Sequence, residues 1–336
     1  MKSATILILN VIAHFTKETN EKLMKLIRFI TIPLVVILIH SCAIKTYRIA
    51  ERSAFRATPY DIGQDSIDLE TYNTNYQQKW LNISASIIDS SRTEIIKSDT
   101  IVLKRDYVTV NDSTTFEYFE YSPVEYDKTI VFFIGNSSRH TSYAEYLMTL
   151  SIKTKSRIIS WNYRGYGYSD GKSSFKTQFI DNLEMFDKLD IEDIDDDLII
   201  IGYSLGSTFA ADLAVIKRPD KLILLSPVSD VSDILKHYKK QFLSGGKFIL
   251  RPFIDLKAPD YLLNISNIEK VKQYSNDLLI LHAKDDEDLP YKMGLKLFEN
   301  SISTNKQLMT IKKGGHSAAF ETENLEAVVS WIKNGL

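Results

Sequence analysis

Ser204 lies in "LIIIGYSLGSTFAADLAV", where an apolar run meets Gly-Tyr-Ser-Leu-Gly and a helix-like pattern follows. A serine hydroxyl in that setting is a candidate nucleophile for acyl transfer, but alone it is weak and needs a base. The chain has six histidines. His14 and His40 lie near the N-terminus, and His140 and His237 fall in helical or inserted segments. His282 ends an apolar strand, and His316 follows the last strand in "KKGGHSAAF". An acid must orient the imidazole from the end of another strand. "LLILHAKDDEDLP" offers Asp285, Asp286 and Asp288. In chain order this is nucleophile, acid, then base, with His316 as the base.

The elements that must carry these side chains are legible from periodicity. "LIII" before and "STFAADLAV" after the pentapeptide make a strand–turn–helix, which exposes the serine on a strained turn. Glycines two positions to either side keep its crowded neighbours small. From Thr100 onwards "TIVLKRDYVTVND" and "TTFEYFEYSP" alternate as antiparallel strands, with Asn111-Asp112-Ser113 as the turn. "TIVFFIGN" reads as a buried strand, and the chain then alternates strand and helix to a final helix in "NLEAVVSWIKNG". Ser173 or Ser174 is the expected N-cap of "SSFKTQFIDNLEMFDKL". The pattern predicts an α/β fold, a mostly parallel sheet covered on both faces with antiparallel strands at its N-terminal edge. An insertion over 228–276 interrupts the alternation, and its position predicts a lid or pocket wall. An oxyanion formed at Ser204 needs backbone N–H donors. The expected ones are Leu205, next to the nucleophile, and Asn136, in the loop after the first buried strand.

These motifs together resemble the α/β-hydrolase superfamily, and most nearly its cap-poor serine hydrolases, the prolyl-oligopeptidase-like and acyl-protein-thioesterase-like members. "FFIGN" is similar to their "HGN" turn, with Ile134 where His is common. "WNYRGYGYSDGKSS" is similar to "DYRGYGxSxG", with Asn162 for Asp. "IGYSLGS" resembles the nucleophile elbow, and "GGHS" the segment of the catalytic His. "LHAKDDEDLP" aligns with "HGxxDxxVP", with Ala283 for Gly and Leu289 for Val. That register places the acid at Asp286. The resemblance spans about 108–336 and implies a serine esterase, thioesterase, lipase or peptidase that uses a Ser204–His316–Asp286 triad and an acyl-enzyme. It implies no metal and no organic cofactor. The "YRGYG" loop, with Arg164, could suggest a phosphate contact, but it is read as structural, a loop tying the strand end to the elbow region and not a binding site.

Composition narrows the partners. The 336 residues are 44% hydrophobic and 25% charged, ordinary for a globular domain. With 41 basic and 43 acidic residues, the balance gives no basic surplus for nucleic acid. One cysteine, Cys42, excludes an internal disulfide and a Cys-based zinc site. "MKLIRFITIPLVVILIHSC" starts at Met24 with Lys25 and Arg28, continues in a short apolar core and ends at Cys42. This resembles a bacterial lipoprotein signal and predicts lipidation of Cys42 and a membrane-anchored protein of the cell envelope. A single N-terminal membrane anchor is the alternative, although the apolar run is short against the roughly 20 residues of a span. Residues 1–23 then read as an early start assignment or an extension. Residues 43–99 read as a tether or helical extension, and 100–336 as the catalytic domain. The expected partner is a small-molecule or acylated substrate. A non-catalytic anchored scaffold and an acyltransferase are the competing readings.

Overall fold

The computed structural model describes residues 45–48, 94–97, 101–191, 197–242 and 254–335. Cys42, the signal-like segment and the helix considered over 70–91 lie outside the described residues. The chain divides into two units, and the division falls inside the expected insertion, at Phe242 and Lys257. In the smaller unit, β1 (Lys45–Arg48) pairs with β9 (Ile254–Lys257) as a two-stranded ladder.

The larger unit is built on a nine-stranded sheet ordered β11-β10-β8-β7-β5-β6-β4-β3-β2. In chain order its elements are β2 (Glu94–Lys97), β3 (Ile101–Thr109), β4 (Thr115–Pro123), β5 (Lys128–Phe133), α1 (Ala144–Thr154), β6 (Ser156–Trp161), α2 (Phe175–Lys188) and β7 (Asp197–Tyr203). There follow α3 (Gly206–Lys217), β8 (Lys221–Leu225), α4 (Val231–Phe242), α5 (Asp260–Leu263), α6 (Asn267–Val271), β10 (Asp277–Ala283), α7 (Lys292–Asn300), β11 (Lys306–Ile311) and α8 (Thr322–Asn334). The six strands from β6 to β11 in the sheet run parallel, while β4, β3 and β2 continue it antiparallel. The antiparallel edge thus has three strands where the alternation had predicted two. Its outermost strand, β2, falls in the segment read as a tether or helix.

Central strands are apolar on both faces because helices cover both. Ile199, Ile200 and Ile201 of β7 are successive and fully buried. Strand β3, one in from the outermost strand, alternates, with Ile101, Leu103 and Arg105 buried. The buried Arg105 is neutralised on the neighbouring strand, where its Nε donates to Glu117 Oε1 at 2.7 Å. The other Glu117 oxygen accepts Asn162 Nδ2 at 2.7 Å and the Tyr168 N–H at 3.0 Å. Helix α2 starts where Ser174 Oγ caps the Lys176 N–H at 3.2 Å. Among the described residues no helix is long and apolar enough to cross a membrane.

Candidate active site

The sheet order sets Ser204 at its centre. It follows β7, which lies between β5 and β8. Its φ is 51°, the left-handed region that side chains rarely enter, and this turns the hydroxyl out of the strand. Its own N–H donates to the Leu225 carbonyl on β8 at 2.9 Å, holding the turn. The flanking glycines are there for space. A Cβ on Gly206 would lie 2.2 Å from the Phe133 carbonyl oxygen, and one on Gly202 would lie 2.5 Å from Ala210 Cβ. Helix α3 can therefore start directly against β5.

His316 and Asp286 come from the next strands along the sheet. Ser204 Oγ is 2.8 Å from His316 Nε2, and His316 Nδ1 is 2.8 Å from Asp286 Oδ2. An ionised carboxylate only accepts, so Nδ1 carries the proton and Nε2 is left to accept from the serine hydroxyl. The second Asp286 oxygen accepts the Asp288 and Leu289 N–H groups at 3.0 and 2.9 Å. Burial works to raise the Asp286 carboxyl, but hydrogen bonds from His282 and His316, the His316 charge and the Leu289 N–H hold it well below the usual carboxylate range. Asp285 does something different. Its exposed carboxylate accepts the Gly314 and Gly315 N–H groups at 3.2 and 3.0 Å and ties the His316 loop to the acid loop. Asp288 contributes its backbone to Asp286 and stands beside His316. One ligand atom each of Asp286, Asp288 and His316 lie within 4.8 Å of one another, a spacing a metal ion could use. Both ring nitrogens of His316 are already engaged, so a cation there would break the line to Ser204.

Asn136 lies in the loop after β5, where its Oδ1 accepts the Tyr166 hydroxyl at 3.1 Å. Leu205 directly precedes α3 with helical φ and ψ. Tyr163, beside Arg164, reaches the same loop, its hydroxyl donating to the Ile134 carbonyl at 2.8 Å. Arg164 itself turns elsewhere. It binds Asp181 of α2 at 2.6 Å, and Asp112 and Thr114 of the β3–β4 turn at 2.7 and 2.6 Å. The tyrosines of this loop thus tie it to the residues after β5, and the arginine locks the β3–β4 turn to α2.

Three groups at the site escaped the sequence. His282, taken as a strand end, is buried against Asp286. Tyr203 stacks beside His316 at 5.2 Å and meets Phe320 at 4.7 Å, forming an aromatic wall with Tyr143. Burial pushes the Tyr203 phenol up to about 12. Helix α4 grips the acid loop, with His237 Nε2 and Gln241 Nε2 at 2.8 and 2.9 Å from the Glu287 carbonyl. These contacts join segments far apart in sequence and had no local signal. His140 is remote from this chemistry. It is stacked on Phe119 at 3.9 Å, bonded to Tyr121 at 2.6 Å, and pushed down to about 3 by burial.

Residues 125–278 match the family described as serine aminopeptidase, S33. The chain has the α/β-hydrolase fold. The Pyrococcus furiosus esterase Pf2001 superposes on this α/β-hydrolase with a TM-score of 0.55 at 16% identity, covering 69% of this chain and 91% of that one. Acetyl xylan esterase 1 from Thermoanaerobacterium sp. JW/SL YS485 gives a TM-score of 0.51 at 12% identity, covering 85% and 98%. At such identities the likeness is one of fold. In sequence the α/β-hydrolase is 32% identical over 151 residues to bovine lysophosphatidylserine lipase ABHD12, covering 42% of this chain and 37% of the relative. It is 25% identical over 212 residues to human alpha/beta hydrolase domain-containing protein 17B, covering 62% and 67%. The chain thus spans under half the length of the lipase it matches.

Proposed function

We propose that the protein is a serine hydrolase that cleaves an ester, thioester or amide through an acyl-enzyme. The observation that carries this is the continuous line Ser204–His316–Asp286, with both links at 2.8 Å. Ser204 Oγ attacks the carbonyl carbon as its proton passes to His316 Nε2. Asp286 holds the imidazole in the required tautomer and stabilises the imidazolium. The Leu205 and Asn136 N–H groups take the negative charge of the tetrahedral intermediate. His316 then protonates the leaving group, and water activated by the same nitrogen releases the acyl group.

A fluorophosphonate probe tests the reading. Wild type labels at Ser204, and Ser204→Ala does not, with turnover falling by about 10⁶-fold, the scale of removing a triad nucleophile. A folded wild type that stays unlabelled overturns the enzyme reading in favour of a non-catalytic scaffold. Water and an alcohol acceptor are separated by following product in the presence of added glycerol.

The match to a lysophosphatidylserine lipase makes single-chain acyl esters with an anionic headgroup the first substrates to assay. The insertion that bears α4 would set acyl-length preference, since α4 holds the loop that carries Asp286. A graded series of p-nitrophenyl esters reads this directly, and an unchanged preference after the 228–276 segment is shortened rejects it. Lipid attachment at Cys42 belongs to the same proposal. Cys42→Ser should move the protein from the membrane to the soluble fraction, and no change sinks it.

A further inference from the structure

The Asn136 loop is held by a closed ring of hydrogen bonds. The Gly135 N–H donates to the Tyr143 phenol oxygen at 3.3 Å, the Tyr143 hydroxyl donates to Ser138 Oγ at 2.7 Å, and the Ser138 hydroxyl donates to the Gly135 carbonyl at 2.8 Å. Each hydroxyl donates once and accepts once, so the ring has a single consistent direction. Its last bond acts on the peptide that joins Gly135 to Asn136. In a planar trans peptide the carbonyl and the following N–H point in opposite directions. Holding the Gly135 carbonyl on Ser138 therefore fixes where the Asn136 N–H points.

Other contacts keep this peptide near the nucleophile. A Cβ on Gly135 would lie 2.9 Å from the Tyr203 ring and 3.1 Å from the Tyr143 hydroxyl, so the loop rests on the residue before Ser204. Tyr166 holds the Asn136 side chain from the other side at 3.1 Å. The Tyr143 ring is packed by Phe132 at 5.4 Å, Phe320 at 5.2 Å and Tyr203 at 5.8 Å, which leaves its hydroxyl one direction to point. Burial raises its phenol far above the ordinary range, so it stays a neutral donor.

We propose that Tyr143 and Ser138 are positioning residues that aim the Asn136 N–H, through the Gly135 peptide, at the oxyanion formed when Ser204 attacks. The inference rests on the serine-hydrolase reading. Neither side chain touches reacting atoms. Their effect appears only once negative charge develops, because the donor they aim is used in the transition state.

Tyr143→Phe removes one hydroxyl and keeps the ring, and Ser138→Ala opens the same ring at its other hydroxyl. With a p-nitrophenyl ester, each variant should lose about 10²-fold in kcat, the scale of a misplacement near 1 Å, while KM stays within about twofold. The double variant should be no worse than either single one, because both break one ring. Ser138→Thr retains a hydroxyl and should recover most of the rate. Losses that multiply in the double variant, or a change confined to thermal stability with kcat at the wild-type level, overturn the proposal. Fluorophosphonate labelling separates the two levels of inference. If wild type labels and both variants label at its rate, the ring has no positioning role and the serine-hydrolase reading stands. An unlabelled wild type removes both.

Discussion

His282 stands directly behind Asp286. Its Nε2 is 3.2 Å from the Asp286 oxygen that also faces His316, and 2.7 Å from the Leu289 carbonyl. The same imidazole Nε2 therefore serves the carboxylate and the backbone of the turn that carries it. Its other nitrogen, Nδ1, is buried without a hydrogen-bond partner, and a Cβ on Gly294 would lie 2.6 Å from it. The ring is wedged between α7 and the acid.

Replacing it tests the acid's environment. His282→Ala removes a donor from a buried carboxylate, and the expected loss of stability is about 1.5–3 kcal/mol plus the cavity left by the ring. Asp286 is held below the ordinary carboxylate range when folded, so its ionised form stabilises the native state above that range. This contribution is lost as pH falls through the depressed value. Urea titrations should therefore show the wild-type advantage over the variant shrinking as pH drops below about 4, the unperturbed value. A gap that is constant from neutral to acid pH counts against the linkage of His282 to Asp286.

The Arg105–Glu117 pair has no part in catalysis but is fully buried at 2.7 Å. Glu117→Leu leaves the Arg105 guanidinium buried without its counter-charge, which costs about 3–5 kcal/mol. Replacing both, as Arg105→Met with Glu117→Leu, should recover most of that loss. Chemical denaturation of the two variants measures it. A double variant as unstable as the single one would mean that the Asn162 and Tyr168 contacts of Glu117, rather than charge balance, hold this edge.

Gly206→Ala adds one methyl against the carbonyls of Phe133 and Ile134, at 2.2 and 2.6 Å. Backbone cannot step aside as a side-chain tip can. The variant should lose at least about 1–3 kcal/mol, the usual cost of overpacking. What still folds should label more slowly with a phosphonate, because α3 is pushed off β5 and Leu205 moves with it. Normal labelling and stability would show that the elbow can slide.

Much of this was open to reading in the sequence. The run of isoleucines in β7 could only be a strand covered on both sides, and the glycines around Ser204 announced a turn with no spare room. His316 and the aspartates at 285, 286 and 288 each follow a strand, so local pattern narrowed the candidates, and the register of the resemblance singled out Asp286. Other features depend on register. Alternation alone does not place a charge in the core, yet Arg105 shares the buried face of Ile101 and Leu103 because Glu117 waits on β4. β2 is four residues long and paired on one side only, too short for periodicity to register. The grip of α4 on the Glu287 carbonyl joins residues 50 positions apart and leaves no trace in either segment.

Distance along the chain has one more effect. Ser204 precedes His316 by 112 residues. At about 5–20 residues per second, a ribosome makes the serine roughly 6–22 s before His316. Through that interval the elbow can form, but its hydroxyl has no imidazole to take its proton. On the proposed mechanism the nascent chain is chemically silent toward acyl groups, and reactivity switches on only when the segment that carries His316 docks.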